Sequence, residues 1–373
     1  MKKRRAIADM DSKISIIIPA YNIVGFIGRS IECALAQDVP KELLEVIVVD
    51  DGSTDGTGDV ADEYHKKDSR VRVIHKANGG VSAARNDGVK AATGDFIFFF
   101  DGDDFEESYT CREVVEIAER QAADGVIYGY SRYEDEEVKE VCLPHFPEEL
   151  YVGQDIVRKV VPAFAGFTNK DINNWLRGEK DALYVENPAL WRMLIRRSVI
   201  LQNDLKFDTS LKVGEDTVFI TDYLSCCKRV AVIQKCYYYL VTRTTSDIDH
   251  SHREVFSRHD VIKLNDAREK LIERIQNRIG IDITEYFAGT IVMSAVEMAF
   301  LLSKKKEKSY SERCKAYHAY IDDPKVQKAI RNFKPGRGSL IRKMPFIMLR
   351  CGAYGLLFFY ASLLNAVHYD YKR

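Results

Sequence analysis

The chain has no surplus of charge to offer a polyanion. Its 55 lysines and arginines face 56 aspartates and glutamates, a formal net charge of −1 over 373 residues. Composition therefore argues for no nucleic-acid partner. The cysteine spacing of a metal or disulfide framework is missing too: eight cysteines are scattered without CxxC or Cys/His pairing, and Cys226-Cys227 are adjacent. That pattern suits free thiols in a reducing cytosol. The basic start MKKRRAIADMDSK is not followed by an apolar run, so it does not read as a secretory signal. Residues 1–13 read instead as a flexible lead-in. No GxGxxG opens a helix and no Walker lysine closes a glycine-rich turn, which disfavours dinucleotide binding of the Rossmann type and P-loop phosphoryl transfer. Internal repeats and low-complexity tracts are absent.

What the chain does have is a set of short apolar runs that end on polar residues. Phe96 to Phe100 runs into Asp101-Gly102-Asp103-Asp104, Glu45 to Val49 into Asp50-Asp51-Gly52-Ser53-Thr54-Asp55-Gly56, and Ile14 to Ile18 into Pro19-Ala20-Tyr21-Asn22. Runs of this length suit buried parallel strands, and in open α/β sheets ligands bind at the C-terminal strand ends. Three carboxylates crowded at one strand end repel one another unless a cation compensates them; the alternative is an acidic turn that caps the next helix. The DxDD spacing suits Mg²⁺ or Mn²⁺ bridging two phosphates, because hard cations prefer oxygen ligands.

Helical patterns separate these strands. Ile27, Ile31, Ala34 and Leu35 repeat at i, i+4, i+7 and i+8, one face of a helix. Val60, Ala61 and Tyr64 mark a second helix, Ser82 to Ala92 a third, and 110–123 a fourth; strands follow at Val71 to His75 and 125–130. The alternation predicts an α/β fold with a doubly wound, mainly parallel sheet and flanking helices. Arg85, one turn into the third helix, could neutralise a diphosphate or make a surface salt bridge. Asp51 could accept from a base N–H or a ribose hydroxyl, and Tyr21 could flank the base. Farther on, Gly214-Glu215-Asp216 opens another helical pattern. Either carboxylate could cap that helix, and Asp216 is the candidate base for a reaction that removes a proton from an attacking hydroxyl.

Residues 253–333 read as charged amphipathic helices, with Lys304-Lys305-Lys306 as a solvated helix end. The stretch from Cys351 to Val367 is apolar, with Arg342, Lys343 and Arg350 before it and Lys372-Arg373 after it. Seventeen residues is the lower limit for a span. A helix lying in a membrane interface is the reading adopted, with a packed core helix and a true span as the alternatives.

In order, PAYN, VVDDGSTDGT, NGGVSAARNDG, FFFDGDD and GED resemble the family 2 glycosyltransferases with a GT-A fold, closely over 14–104 and more loosely over 185–245. The resemblance implies a nucleotide-diphosphate sugar donor, taken as a UDP-sugar, a divalent metal (Mg²⁺ or Mn²⁺), and inverting transfer to a lipid-linked or growing glycan in polysaccharide assembly. Carried over by position, it implies donor contacts from Pro19, Tyr21, Asn22, Asp51, Gly80, Arg85, Asp101 and Gly102. It further implies metal ligation by Asp103 and Asp104, and a base at Asp216. Glu215, Trp191, Arg192 and Arg243 would lie on the acceptor side. The implied organisation is a catalytic domain over 14–245, divided into a nucleotide-sugar half (14–131) and an acceptor half (132–245). A helical region (246–339) and an amphipathic, membrane-associated tail (340–373) would follow. The implied location is cytoplasmic, peripheral on the inner face of the cell membrane.

Two departures qualify the resemblance. Where processive synthases carry QxxRW, this chain reads Gln234-Lys235-Cys236-Tyr237-Tyr238, which disfavours a chain-extending synthase. Where many members have Trp-x-Lys, Trp191-Arg192-Met193 puts a methionine. Other expectations compatible with the strand-end carboxylates are an idle nucleotide-sugar-binding module and a metal-dependent nucleotidyltransferase. The latter would usually show a basic, glycine-rich loop after the first strand, and PAYNIVGFIG has none.

Overall fold

The computed structural model describes residues 10–241, 258–304 and 309–366. Most of the expected lead-in, all of Arg243, and Lys305 and Lys306 of the expected helix end lie outside the described residues. Two compact units divide the chain: 1–161 with 186–255, and 162–185 with 256–373.

The first unit is built on a sheet of ten strands, ordered β3-β2-β1-β4-β9-β6-β10-β5, with β7 on β6 and β8 on β10. β1 (Ile14–Ala20), β2 (Leu44–Asp50), β3 (Val71–His75) and β4 (Phe96–Phe99) all run parallel. Ile14, Ile16, Ile17 and Ile18 are fully buried, and each contributes about 1.5–3 kcal/mol by leaving water. α1 (Ile27–Leu35) covers the sheet with Ile27, Ile31 and Ala34 buried, as its spacing predicts, and α2 (Thr57–Lys67) follows β2 with Ala61 buried. α3 (Val81–Ala91) packs on β1 at Gly88, where a Cβ would meet Ile17 Cγ2 at 2.4 Å. Parallel pairing brings the C-terminal ends of β1, β2 and β4 to one edge, so Tyr21, Asp51 and Asp101 share it.

The other half of the sheet corrects the expectation of a mainly parallel, doubly wound arrangement. β9 (Met193–Arg196) runs antiparallel between β4 and β6 (Gly125–Glu134). β5 (Phe105–Glu106), β7 (Glu137–Cys142) and β8 (Leu150–Val152) also pair antiparallel, whereas β10 (Arg229–Val241) runs parallel to β6. The sheet is mixed. β9 follows residues 162–185 of the other unit rather than a crossover helix, so nothing imposes the parallel direction that a βαβ connection would. Its four residues are too short for a periodic signal.

The second unit is helical. Its central helix, Thr284–Lys304, departs from the expected charged pattern: it is apolar, and none of its residues from Tyr286 to Ser303 is exposed. It is the one described helix long and apolar enough to cross a membrane, and 56% of its apolar window is buried. The expected tail forms two helices, Leu340–Arg350 and Tyr354–Ala366, of 11 and 13 residues, each shorter than a span needs. The helix of span length is thus in mid-chain, not at the C-terminus. Phe346, Leu349, Leu357, Phe358 and Ala361 are buried in the same core as Val292, Val296 and Ala299.

Candidate active site

At the shared strand edge, side chains and backbone of three loops bind one another. Asn22, held at φ 51°, donates its N–H to Ser53 Oγ at 3.1 Å, and its Oδ1 accepts from the Thr54 N–H at 2.9 Å. Tyr21 beside it is half exposed. Gly52 has φ 77°, and a Cβ there would meet the Asn78 backbone nitrogen at 2.7 Å, so the turn requires glycine. Asp51 is buried with its carboxylate turned inward. Its Oδ1 accepts from Lys76 Nζ and the Gly79 N–H, both at 2.9 Å, and its Oδ2 from the Gly80 N–H at 2.7 Å. Asp51 therefore shapes the glycine loop that starts α3. Lys76 and Gly79 had no assigned part, and lysine three residues before a Gly-Gly pair is too common to signal one.

Arg85 is the centre of the site. Its side chain is 6% exposed, with Nη1 at 2.6 Å from Asp216 Oδ1 and 3.6 Å from Glu215 Oε1. Its Nη2 lies 3.7 Å from Asp101 Oδ1. Residues from the end of β4 and from the first turn of the helix Glu215–Cys226 thus meet at one guanidinium. Three carboxylates outweigh the effect of burial and hold Arg85 firmly protonated. Burial pushes Asp216 up to about 7; Arg85 pulls it down, and Glu215 and Asp101 push it up further.

Phe207, which the sequence did not single out, positions this group. Its ring stacks on Phe219 of the same helix at 3.8 Å and meets Phe99 of β4 edge-on at 5.7 Å. The Arg85 guanidinium lies 5.7 Å from its centroid. Asn86 holds the Phe207 backbone at both its N–H and its carbonyl, each at 2.9 Å.

The DGDD aspartates divide by environment. Asp104 is buried; Tyr238 donates its hydroxyl to Oδ2 at 2.7 Å, and the Val241 N–H donates to Oδ1 at 2.8 Å. Burial, with Asp101 and Asp103 nearby, pushes its carboxyl up to about 8. Asp101 and Asp103 are half-buried. α1 holds this turn by its backbone, through Ser30 Oγ to the Asp101 carbonyl at 3.3 Å and Arg29 Nη2 to the Asp103 carbonyl at 3.2 Å. Among the described residues no group of three or more His, Cys, Asp or Glu side chains forms a ready metal cluster. Two carboxylates at one strand end fit a hard cation that takes its other oxygens from a bound diphosphate.

Trp191 and Arg192 lie in the core. Trp191 stacks on Tyr238 at 4.2 Å, and Arg192 donates from Nη1 to Glu186 Oε2 at 2.6 Å and from Nε to the Tyr128 carbonyl at 3.0 Å. Glu215 stands beside Arg85 instead. Tyr238 and Glu186 thus have structural parts that the Tyr237-Tyr238-Tyr239 run and an isolated glutamate did not disclose.

The mixed α/β sheet with its flanking helices is GT-A-like. Residues 15–171 match the model described as Glycosyl transferase family 2, and the chain is similar to family 2 glycosyltransferases of the kind found among bacterial polysaccharide-assembly enzymes. It is 32% identical over 225 residues to the uncharacterized glycosyltransferase EpsJ of Bacillus subtilis (strain 168), covering 60% of each chain. It is 30% identical over 237 residues to the poly(ribitol-phosphate) beta-glucosyltransferase of Bacillus spizizenii, over 62% of this chain and 32% of that one. The chain thus covers less than two thirds of either relative. In fold it resembles S. aureus TarS 1–349 in complex with UDP-GlcNAc, with TM-score 0.55 and 18% identity over 96% of this chain and 93% of that one.

Proposed function

We propose that this protein is an inverting glycosyltransferase that moves one sugar from a nucleotide-diphosphate sugar to a hydroxyl of a lipid-linked or growing glycan in cell-surface polysaccharide assembly. The observation that carries the reading is the convergence of Asp101, Glu215 and Asp216 on Arg85. Asp216 takes the proton from the attacking hydroxyl, and its Oδ2 serves because Oδ1 holds the arginine. As the new bond to the anomeric carbon forms, the bond to the diphosphate oxygen breaks on the opposite face, and the nucleoside diphosphate leaves. Pro19, Tyr21, Asn22, Asp51 and Gly80 frame the nucleoside, the last two by setting the loop; Asp101 and Gly102 face the ribose or sugar.

Enzymes of this family often use divalent metals. A Mg²⁺ or Mn²⁺ ion held by Asp103 and Asp101 would supply positive charge to the departing diphosphate, with Asp104 buttressing the turn from behind. We take the donor to be a UDP-sugar and the sugar to be a hexose or an N-acetylhexosamine, since the relatives include a beta-glucosyltransferase and, at 25% identity over 254 residues, a beta-N-acetylglucosaminyltransferase. The enzyme works in the cytoplasm, peripheral on the inner face of the cell membrane. Eight free cysteines suit that compartment.

The test is a panel of nucleotide sugars scored for thermal stabilisation and for Mn²⁺-dependent hydrolysis. Stabilisation and slow hydrolysis with one nucleotide class are expected. A protein that responds to no nucleotide sugar, with or without metal, would overturn the proposal.

A further inference from the structure

The C-terminal helices carry an unusual combination of charge and exposed apolar surface. Residues 324–369 contain eight lysines and arginines and no aspartate or glutamate, in a chain whose charges otherwise nearly cancel. Within this stretch the helix Tyr354–Ala366 has two distinct faces. Leu357, Phe358 and Ala361 are buried, with Phe358 against Tyr310 and Tyr317. Leu356, Phe359 and Leu363 are 55%, 57% and 55% exposed. At i, i+3 and i+7 these three fall within about 60° of one another around the helix, opposite the buried set.

The neighbouring helix extends this patch. Tyr360 donates its hydroxyl to the Ile341 carbonyl at 3.2 Å, which brings the start of Leu340–Arg350 beside the exposed stripe. Leu340 and Ile341 are 69% and 49% exposed. Five large apolar side chains are thus exposed on two neighbouring helices, and the cations of the stretch include the exposed Lys334, Arg337 and Arg350.

We propose that this side of the helical unit is a docking surface for an anionic lipid bilayer. It sharpens the peripheral location proposed above by naming the surface and the lipid charge. An exposed apolar stripe in an acid-free, basic stretch of chain is what an interfacial helix pair offers to acyl chains and headgroups. A second copy of this chain fits less well, because a twofold contact would bring two acid-free, basic stretches face to face. The two helices are too short to span and have their other faces in the core, so the contact lies on the membrane surface.

The experiment is flotation of the full chain with phosphatidylglycerol vesicles and with phosphatidylcholine vesicles. The wild type is expected to float with the anionic vesicles, and about tenfold less with the neutral ones or in about 1 M salt, where screening reaches about 3 Å. Leu356→Ser, Phe359→Ser and Leu363→Ser combined should cut flotation about tenfold or more, as three acyl-facing side chains are lost. The unfolding midpoint should stay unchanged, because all three side chains are more than half exposed. Stabilisation by nucleotide sugar should also be unchanged, so failure of the membrane surface and failure of the transferase reading give separate results. The proposal is overturned if the wild type does not float, if the triple variant floats equally well, or if binding ignores lipid charge and salt. It is also overturned if the wild type is a dimer that the triple variant dissolves.

Discussion

Arg85 and Arg192 serve the two halves of one sheet, the first beside the parallel strands and the second among the mixed ones. Each holds a carboxylate at 2.6 Å, and each has one buried nitrogen without a hydrogen-bond partner, Nε in Arg85 and Nη2 in Arg192. The surroundings differ. Arg192 and Glu186 are 1% and 0% exposed, and Glu186 Oε1 also accepts the His145 N–H at 2.6 Å. The Arg85 partners Asp216 and Asp101 are 21% and 33% exposed. A sealed pair has its charges cancelled and its lone pairs occupied, which makes it part of the core. An arginine that gathers three partly exposed carboxylates leaves negative charge at the surface, available to a substrate, and keeps one of them near neutrality in pKa. The same two residue types therefore make a structural lock in one place and a candidate active site in the other.

The largest effect should come from the open pair. Asp216→Asn is expected to slow transfer by about 10²–10⁴-fold, as loss of a general base does, while nucleotide-sugar affinity stays close to wild type. A variant with normal turnover and lost donor affinity would make Asp216 a binding residue and erase the contrast.

The sealed pair should show itself in stability. Glu186→Ala strands a buried guanidinium and should cost about 3–5 kcal/mol in urea unfolding, with little change in donor affinity per folded molecule. Arg85→Met should cost clearly less, because water can reach its partners. Equal losses would mean that exposure does not separate the two pairs.

A smaller effect is expected in the pH profile. Asp216 must be ionised to accept a proton, and burial raises it to about 7. Its active form therefore disappears as pH falls, and kcat/KM should drop about tenfold per unit below 7 and level off above it. Glu215→Gln removes one of the carboxylates that raise Asp216, so the limb should move to lower pH. A limb that stays in place would show that another group controls the rate.

Asp104 should show itself in how stability varies with pH. With its carboxyl raised to about 8, it binds a proton in the folded state that the unfolded chain has already released at neutral pH. Wild-type stability should therefore fall as pH rises from about 4 to 8. Asp104→Asn should remove that slope, so that the difference in stability between the two proteins shrinks as pH falls toward 4. Asp103→Asn is the control, since it should abolish Mn²⁺-dependent binding of a nucleoside diphosphate. If both variants lose metal-dependent binding equally, the two aspartates act as one metal site.

Local physics made much of the first unit legible. Apolar runs at 14–18, 45–49 and 96–100 are strands because only a two-sided buried sheet accommodates them, and helix spacing around Ile27 and Ile31 predicts the face that α1 buries. The acidic turns after those strands follow from the same residues. β9 was not legible, because four residues carry no period and their direction depends on a chain that returns from the other unit. The apolar pattern of Thr284–Lys304 could have been read as a core helix, but its length and composition fit a span equally well, and only its packing distinguishes the two.

The sequence by itself determined the alternating strands and helices, the polar strand ends, and the acid-free basic character of residues 324–369. All three are properties of neighbours in the chain, set by periodicity, turn chemistry and charge count. The tertiary structure decided which charges meet and which are sealed. Arg85 and Asp216 are 131 positions apart, and Arg192 and Glu186 are six. Nothing in the residue types says that the distant pair stays open to solvent and the near pair does not. Desolvation depends on what packs around a group, and that is a sum over the whole fold.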